Sequence, residues 1–296
     1  MKTRIKPILF LSLAFIAFIF FYSCQKEGSH NSNNEITSGK TKLSVFLTDG
    51  PYDFQQALID IQRIEVKLDT CRRNDDDDDD DDHDGPGCDD DHDSLHNHCE
   101  IWDTLDIRAG VYDLLTLRNG VDTLLASGFI LNGKIERIKV TLGTNNSVMV
   151  DSIVHPLHLL GNQNFVYINI HREHLDSVSS SNLRLFLDFD LSRSIKIKNG
   201  EYWLKPMLKP FGEHSSGEIE GKVRPVHSHG MIRAYNATDT AFALPEDEGE
   251  FKIRGLREGT YSLFIDGING YSDTTISNIS VNRGRETELG TIVLHQ

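Results

Sequence analysis

The sequence predicts an all-β fold in which two β-sandwich domains lie in tandem. Apolar residues recur at every second position in short runs such as Leu43, Val45 and Leu47. A period of two indicates strands that bury one face. Turn residues separate these runs, and many short strands joined by turns favour sandwiches over a sheet built from βαβ units. We therefore expect each domain to bury a core of its own.

The first predicted domain covers residues 41–212. A turn is expected at Thr48–Pro51, and a short helix is expected over Val121–Ala126. After the strands near its start, the pattern predicts strands at Ile101–Leu105, Ile135–Leu142, Ser147–Val150, Phe165–Ile170, Arg184–Leu191 and Tyr202–Leu208.

The apolar pattern near residue 62 leaves two alternatives open. Apolar residues occupy odd positions at Ile59 and Ile61 and even positions at Ile64 and Val66. Either a β-bulge changes the direction of the side chains within one strand, or two separate elements are present.

The second predicted domain covers residues 217–296 and follows a linker at 213–216. Tyr261, Leu263 and Ile265 alternate with Ser262 and its even-numbered neighbours. Glycines punctuate the turns between six or seven predicted strands. We expect a small sandwich that buries the odd-numbered set.

Residues 1–23 have the features of a signal peptide. Cationic residues precede an apolar run of 14 residues from Ile8 to Phe21. A helix that spans a bilayer needs about 20 apolar residues, so we expect a cleaved segment. Residues 24–40 are rich in Ser, Asn and Gly and predict a flexible tether.

Cys24 directly after Ser23 resembles the bacterial lipobox. The resemblance implies cleavage before Cys24 and lipidation of its thiol, so that the lipid anchors the protein to a membrane. Residues 25–27 (Gln-Lys-Glu) are similar to the short charged signal that sends some lipoproteins to the outer leaflet. We therefore expect an outer-membrane lipoprotein that faces the cell surface or the periplasm.

The negative charge of the chain is concentrated in one segment. Of the 45 acidic residues, 14 lie between Asp75 and Glu100, where no Lys or Arg occurs, which leaves 31 acidic residues against all 30 basic ones elsewhere. Strands are predicted on both sides, so the segment is expected to be a long hairpin loop. The rest of the chain lacks the basic face that a nucleic-acid-binding protein needs.

Cys71 and Cys99 bracket this loop and are expected to lie near facing positions at the base of the hairpin. An oxidising compartment would allow a disulfide there. If Cys24 is lipidated, Cys88 is the remaining thiol, and it could be free, exchange partners or bind metal.

The loop also offers candidate metal ligands. Carboxylates suit Ca²⁺, whereas imidazole and thiolate suit Zn²⁺ and other transition metals, and no EF-hand spacing is present. Three alternatives remain: a solvated loop, weak divalent binding by massed charge, and a defined transition-metal site. The candidate ligands are His83, Asp84, Cys88, His92, His96 and His98.

Other polar residues have simpler interpretations. Asp188 and Asp190 alternate with apolar neighbours and are expected to be solvent-exposed, and Asp49 is expected to form a turn, unless the three acids converge on a Ca²⁺ site. The pairs His155/His158 and His171/His174 are expected in loops. Neither a nucleophile elbow nor a phosphate-binding glycine loop occurs.

Five stretches of the first domain resemble the bacterial domain of unknown function 4382, a family without an established activity. They are LSVFLTDGP (Leu43–Pro51), IDIQRIEV (Ile59–Val66), DLLTLRNG (Asp113–Gly120), LDFDLSRSI (Leu187–Ile195) and WLKPMLKP (Trp203–Pro210). GEIEGKV (Gly217–Val223) and GEFKIRGLREGTYSL (Gly249–Leu263) resemble the carboxypeptidase regulatory-like domain, a transthyretin-like sandwich grouped with carbohydrate-binding-like folds. That resemblance implies a spacer or binding module.

These observations predict a non-enzymatic protein of the cell envelope with a binding or scaffolding role. Carbohydrate and divalent cations are the candidate ligands, with Ca²⁺ or Zn²⁺ as the ion, and glycans or envelope proteins are the candidate partners. The alternative is capture of transition metals by the Asp/His/Cys loop.

Overall fold

The structure, a computed structural model, describes residues 39–71 and 99–296 apart from Pro51, Asp53 and Asn162. The predicted all-β class is confirmed: these residues form 22 strands, one short α-helix and two 3₁₀ turns. None of the helices among them is long and apolar enough to cross a membrane. The described residues all belong to one compact unit.

The elements follow one another in this order. The strands are β1 (Lys40–Gly50), β2 (Gln56–Asp69), β3 (Glu100–Thr104), β4 (Asp106–Ile107), β5 (Gly110–Asp113), β6 (Thr123–Leu131), β7 (Lys134–Leu142), β8 (Ser147–Val150), β9 (Ile153–Leu159), β10 (Phe165–Asn169), β11 (Leu175–Ser179), β12 (Asn182–Asp190), β13 (Ile195–Lys198), β14 (Glu201–Leu204), β15 (Leu208–Phe211), β16 (Gly217–Arg224), β17 (His229–Tyr235), β18 (Thr240–Ala243), β19 (Glu250–Leu256), β20 (Gly259–Gly267), β21 (Thr274–Val281) and β22 (Glu286–Val293). The 3₁₀ turns are Leu114–Leu117 and Arg172–His174, and helix α1 is Leu191–Ser194.

Two sheets enclose the first core. Sheet 1 has the order β11, β12, β1, β6 and β4, and β15 also pairs with β12. Sheet 2 has the order β10, β7, β2, β8, β9, β14 and β13, and β3 and β5 also pair with β2. Alternate residues of β1, such as Leu43 and Val45, meet Ile59 and Ile64 of β2 in this core.

The change of apolar parity near residue 62 is a β-bulge. Strand β2 runs without interruption, and its register against β7 shifts between Ile61 and Arg63. Ile61 and Ile64 are consequently both fully buried although their positions differ in parity. The bulge thus keeps one 14-residue strand facing the core along its whole length.

The helix predicted over Val121–Ala126 is wrong. Strand β6 begins at Thr123, and Leu124 pairs with Phe46 of β1. Pairing along β1 buries Leu125 and Ala126, so tertiary contacts override the local helical pattern. A single 3₁₀ turn lies just upstream, at Leu114–Leu117.

The second sandwich contains β16–β22. Its sheets have the orders β19, β16, β22 and β18, β17, β20, β21. The prediction for β20 is confirmed, because Tyr261, Leu263 and Ile265 are all buried in a second apolar core. The domain limits at 212 and 217 and the linker at 213–216 stay predictions.

An aromatic layer separates the two cores. Phe186 of β12 stacks between Phe46 and Phe211 on the face of sheet 1 that points away from the first core, with ring centroids 5.1 and 5.3 Å apart. Arg254 of β19 covers Phe186 from the second sandwich. Gly255 lies directly against Phe211, so a Cβ atom there would be only 3.0 Å from the ring.

Candidate functional site

The outer face of sheet 2 carries a group of aromatic side chains, which we call the aromatic surface: the exposed Trp102 and Tyr167 and the half-buried Phe165. Trp102 and Tyr167 are each 45% exposed. Their ring centroids lie 5.9 Å apart, and those of Phe165 and Tyr167 lie 5.1 Å apart. The three rings therefore form one continuous apolar area on the protein surface.

Strand alternation places these rings outside. In β10, Phe165 and Tyr167 alternate with Val166 and Ile168, which pack on the core. Trp102 of β3 pairs with Lys67 of β2. Since β2 and β7 lie between β3 and β10, the Trp102 and Tyr167 rings meet above these two central strands.

Charged side chains border the aromatic surface. Lys67 pairs with Glu100 at 2.6 Å, and the hydrogen bond from this ammonium to Glu100 raises the pKa of Lys67. The guanidinium carbon of Arg137 lies 5.5 Å from the Tyr167 centroid, and Lys139 Nζ lies 5.0 Å from the Phe165 centroid. Hydrogen-bond donors and acceptors thus flank the rings.

This arrangement suits binding to a ligand that has one apolar face and a polar edge. Exposed apolar groups rimmed by polar residues mark interaction sites on soluble proteins. Tyr, Trp and Arg are also the side chains that contribute most at binding surfaces. The flat rings can stack on a ligand, while Arg137 and Glu100 can hydrogen-bond to its edge.

The acidic loop begins and ends beside this surface. Asp69 pairs with Glu100, and the backbone amide of Thr70 donates to the Cys99 carbonyl at 2.9 Å. The expected hairpin arrangement of the flanking strands is therefore confirmed. In the structure Cys71 and Cys99 are joined by a disulfide, with their Cα atoms 5.2 Å apart.

The remaining predicted site residues lie outside the described part of the chain. They are Cys24, His83, Asp84, Cys88, His92, His96 and His98. Lipidation at the first and metal binding at the others stay predictions. Within residues 39–71 and 99–296, no group of three or more His, Cys, Asp or Glu side chains is arranged to hold a metal ion.

The structure corrects the interpretation of Asp49 and Asp188. Asp49 lies within β1 and is buried, so it does not form a turn. Asp188 does face away from the first core, but its Oδ1 is buried because the second sandwich covers this face of sheet 1. Burial raises the pKa of Asp188 to about 7, although the Lys209 ammonium acts in the opposite direction.

The charges of Asp188 and Asp190 both act on Asp49, and Asp190 also caps a helix. Burial raises the pKa of Asp49 well above its usual value, and the negative charges of Asp188 and Asp190 add to this effect. Asp190 accepts a hydrogen bond from the Arg193 backbone amide at 2.9 Å and caps α1. The three acids therefore do not form one cluster of ligands.

The histidine pairs do not form sites. His155 and His158 lie on β9, so the prediction that they lie in a loop was wrong. This Pro-containing segment belongs to sheet 2 because β9 pairs with β8 and β14. Residues three apart on a strand face opposite sides. The His171 amide donates to His174 Nδ1 at 3.1 Å across a 3₁₀ turn, and burial lowers the pKa of His174.

Sequence reasoning missed the aromatic surface. One signal was available in β10, where the residues of both alternating sets are apolar or aromatic. A strand that buries only one face normally has polar residues on the other, so Phe165 and Tyr167 had to lie on the face where polar residues are expected. Trp102 had no comparable signal, because its position beside Tyr167 depends on the order of four strands.

Residues 40–206 match the model of a family described as a domain of unknown function (DUF4382). None of the curated proteins matches the chain.

Solved structures give weak overlays. A type II cohesin–X-dockerin complex from Acetivibrio cellulolyticus is 24% identical over 26% of this chain and 56% of that chain, with a TM-score of 0.23. The minor pilin GBS52 of Streptococcus agalactiae is 10% identical, covers 86% of this chain and 95% of its own, and has a TM-score of 0.21. The shaft pilin SpaA of Lactobacillus rhamnosus GG is 8% identical over 86% of this chain and 98% of that chain, with a TM-score of 0.23. This chain spans about half of the first of these, and at such TM-scores no function is taken from any of them.

Proposed function

Because the chain belongs to the family described as a domain of unknown function (DUF4382), whose description names no activity, we propose its function from the site itself. The protein is a non-enzymatic binding protein of the cell envelope, and its aromatic surface binds polysaccharide. The observation that carries this proposal is the exposed contact between Trp102 and Tyr167 above two strands of sheet 2.

The shape and chemistry of the aromatic surface support a carbohydrate ligand. A pyranose ring has an apolar face of C–H groups and an edge of hydroxyl groups. Trp102, Tyr167 and Phe165 offer flat rings for the first, and the charged side chains of Arg137 and Glu100 can bond to the second. The surface is open, which suits an extended chain better than a small molecule enclosed in a cavity.

The cellular setting belongs to the same proposal. A lipid at Cys24 would hold the protein on the outer membrane, and residues 25–40 would give it reach from the bilayer. The second sandwich, whose sequence resembles a carboxypeptidase regulatory-like domain, would act as an accessory module that supports the first.

Affinity electrophoresis through gels that contain envelope and extracellular polysaccharides tests the proposed ligand. We expect one or more polysaccharides to retard the wild type, and we expect Trp102→Ala to abolish the retardation. Phe129→Ala is the matched control, because Phe129 is 38% exposed but lies on β6 of sheet 1. Equal retardation of the wild type and Trp102→Ala would reject the aromatic surface as the binding site.

Metal capture by the loop is the second candidate. The sequence between Cys71 and Cys99 contains four His and 13 Asp, and the disulfide joins its two ends. Titration with Zn²⁺, Cu²⁺ and Ca²⁺, with and without residues 74–98, tests it. Tight stoichiometric binding that the deletion removes would support capture, and weak salt-sensitive uptake would contradict it.

A further inference from the structure

The outer face of sheet 2 carries a second aromatic pair, Trp203 of β14 and His158 of β9. The two residues are direct neighbours in the parallel pairing of these strands, and their ring centroids lie 5.4 Å apart. Leu204 and Leu157, one position away on each strand, are buried in the first core. Since successive residues of a strand face opposite sides, Trp203 and His158 point away from that core. They therefore lie on the same face of the sheet as the aromatic surface.

Solvent reaches the second aromatic pair and the residues beside it. His158 is exposed and Trp203 is half-buried. Val154, which lies on the same face of β9 as His158, is 59% exposed. Lys196 of β13 pairs with Trp203 and is also exposed. The second aromatic pair thus combines flat rings with apolar and hydrogen-bonding neighbours, as the aromatic surface does.

Strands β9 and β10 follow the same line across the sheet. β7 and β8 both lie on the side of β2 that is opposite β5, where they pair with successive parts of β2. β10 pairs with β7, and β9 pairs with β8, each in antiparallel fashion. Both strands therefore lie two positions from β2 and run in its direction. The Leu160 amide after β9 donates to the Leu204 carbonyl, and the Asn164 carbonyl before β10 accepts from the Leu142 amide, both at 2.8 Å.

The strand register gives the spacing between the aromatic surface and the second aromatic pair. Through β7, Phe165 lies level with Arg63 of β2. Through β8, Pro156 lies level with Leu58 of β2, and His158 is two residues farther along β9 in the direction of Phe165. At about 3.3 Å per residue, His158 and Phe165 are separated by about 10 Å along the strand direction. One extended ligand that lies along β10 and β9 can therefore contact both groups of rings.

We propose that Trp203 and His158 form a second subsite for the polysaccharide that the aromatic surface binds, so that one chain lies along β10 and β9. This inference rests on the proposed function. Rings spaced along a strand suit a linear ligand of repeated units, because the apolar face of each sugar can stack on a ring. Once one part of the chain is bound, the contact at the other subsite is intramolecular and strengthens binding further. Affinity should therefore rise with chain length until the ligand reaches His158.

Calorimetric titration of the full chain with oligosaccharides of graded length, prepared from a polysaccharide that retards the wild type, tests the second subsite. We expect affinity to rise with length in the wild type and in the control His295→Ala, whose side chain is exposed on the second sandwich. His158→Ala should bind the longest oligosaccharides about 10-fold more weakly, because one stacked ring is lost. It should bind the shortest ones as the wild type does, which also shows that the variant is folded. Trp102→Ala should weaken binding at every length.

The fluorescence of Trp203 gives a second readout. Trp102→Phe keeps an aromatic ring at that position and leaves Trp203 as the only tryptophan. Long oligosaccharides should protect Trp203 from acrylamide quenching, and short ones should not. Wild-type affinity of His158→Ala for the longest oligosaccharides, or unprotected Trp203 while they are bound, would overturn the second subsite and leave the proposed function standing. Wild-type affinity of Trp102→Ala at every length would reject the proposed function, and this inference with it.

Discussion

The guanidinium carbon of Arg254 lies 5.0 Å from the centroid of the Phe186 ring. Arg254 belongs to β19 of the second sandwich and Phe186 to β12 of the first, so this contact crosses the junction between the two cores. The Arg254 side chain is 8% exposed, and it also donates to the Gly120 carbonyl and to Asp122, both at 3.0 Å. One residue thus joins the two sandwiches by stacking, hydrogen bonding and charge.

Replacing Arg254 should destabilise the whole protein. We expect Arg254→Met to lower the free energy of unfolding by about 2–3 kcal/mol. Removing one partner of a fully buried ion pair costs about 3–5 kcal/mol, and we expect less here because Asp122 is partly exposed. Urea unfolding measures the effect. Arg233→Met is the control, because Arg233 is exposed and its guanidinium carbon lies 4.9 Å from the Tyr235 ring centroid. An equal loss of stability in both variants would contradict a special role for the junction.

The ion pair between Lys209 and Asp239 should make the junction sensitive to acid. Burial alone would raise the pKa of Asp239, but the Lys209 charge and hydrogen bonds from Lys209 and Tyr261 outweigh it and hold the pKa below its usual value. A depressed folded-state pKa gives stability that is present above about pH 4, the unfolded value, and is lost as the pH falls through the folded value.

Asp239→Asn should therefore lower the free energy of unfolding by about 1–2 kcal/mol at pH 7, and the difference from the wild type should narrow below pH 4. Asp247→Asn, at an exposed loop position, is the control. Unfolding curves between pH 3 and 7 provide the measurement. A difference that stays constant over this range would show that the charge of Asp239 contributes nothing.

The disulfide between Cys71 and Cys99 should stabilise the first sandwich. It joins residues 28 positions apart. In the chain-entropy model a loop of this length adds about 3–4 kcal/mol. We expect the double variant Cys71→Ser/Cys99→Ser to lose about that amount in urea unfolding, and we expect reductant to affect the wild type but not the variant. Unchanged stability of the variant would mean that the disulfide does not constrain the unfolded chain.

A side chain at Gly255 should destabilise the protein. Its φ is +69°, and a Cβ atom would lie 3.0 Å from the Phe211 ring. Gly255→Ala therefore combines backbone strain with a steric clash. Gly270→Ala isolates the strain, because Gly270 has φ +89° and open space around it. In thermal unfolding, Gly255→Ala should lose about 1–3 kcal/mol more stability than Gly270→Ala. Equal losses of stability in the two variants would mean that the junction accommodates the extra methyl group.

The all-β class was predictable because burial on one face imposes a period of two. In β20 this period identified Tyr261, Leu263 and Ile265 as core residues, and the structure buries all three. The parity change at Ile61 and Ile64 pointed to the bulge, although the sequence alone left a second alternative open.

The environment of Asp188 was not predictable from the same pattern. Alternation with Leu187 and Phe189 correctly placed it on the face opposite the first core. That face is covered by β18 and β19, which lie more than 50 residues later in the chain, and no local pattern reports such a contact. The aromatic surface was missed for the same reason, since Trp102 meets Tyr167 only through the order of the strands.

The fluorescence of Trp102 tests the central claim most directly. The chain has two tryptophans, and the variant Trp203→Phe leaves Trp102 as the only one. On titration with a polysaccharide that retards the wild type, we expect a saturable blue shift of the Trp102 emission and protection from acrylamide quenching, because the sugar covers a ring that is 45% exposed. Unchanged emission and quenching while the polysaccharide still binds would contradict the proposed function.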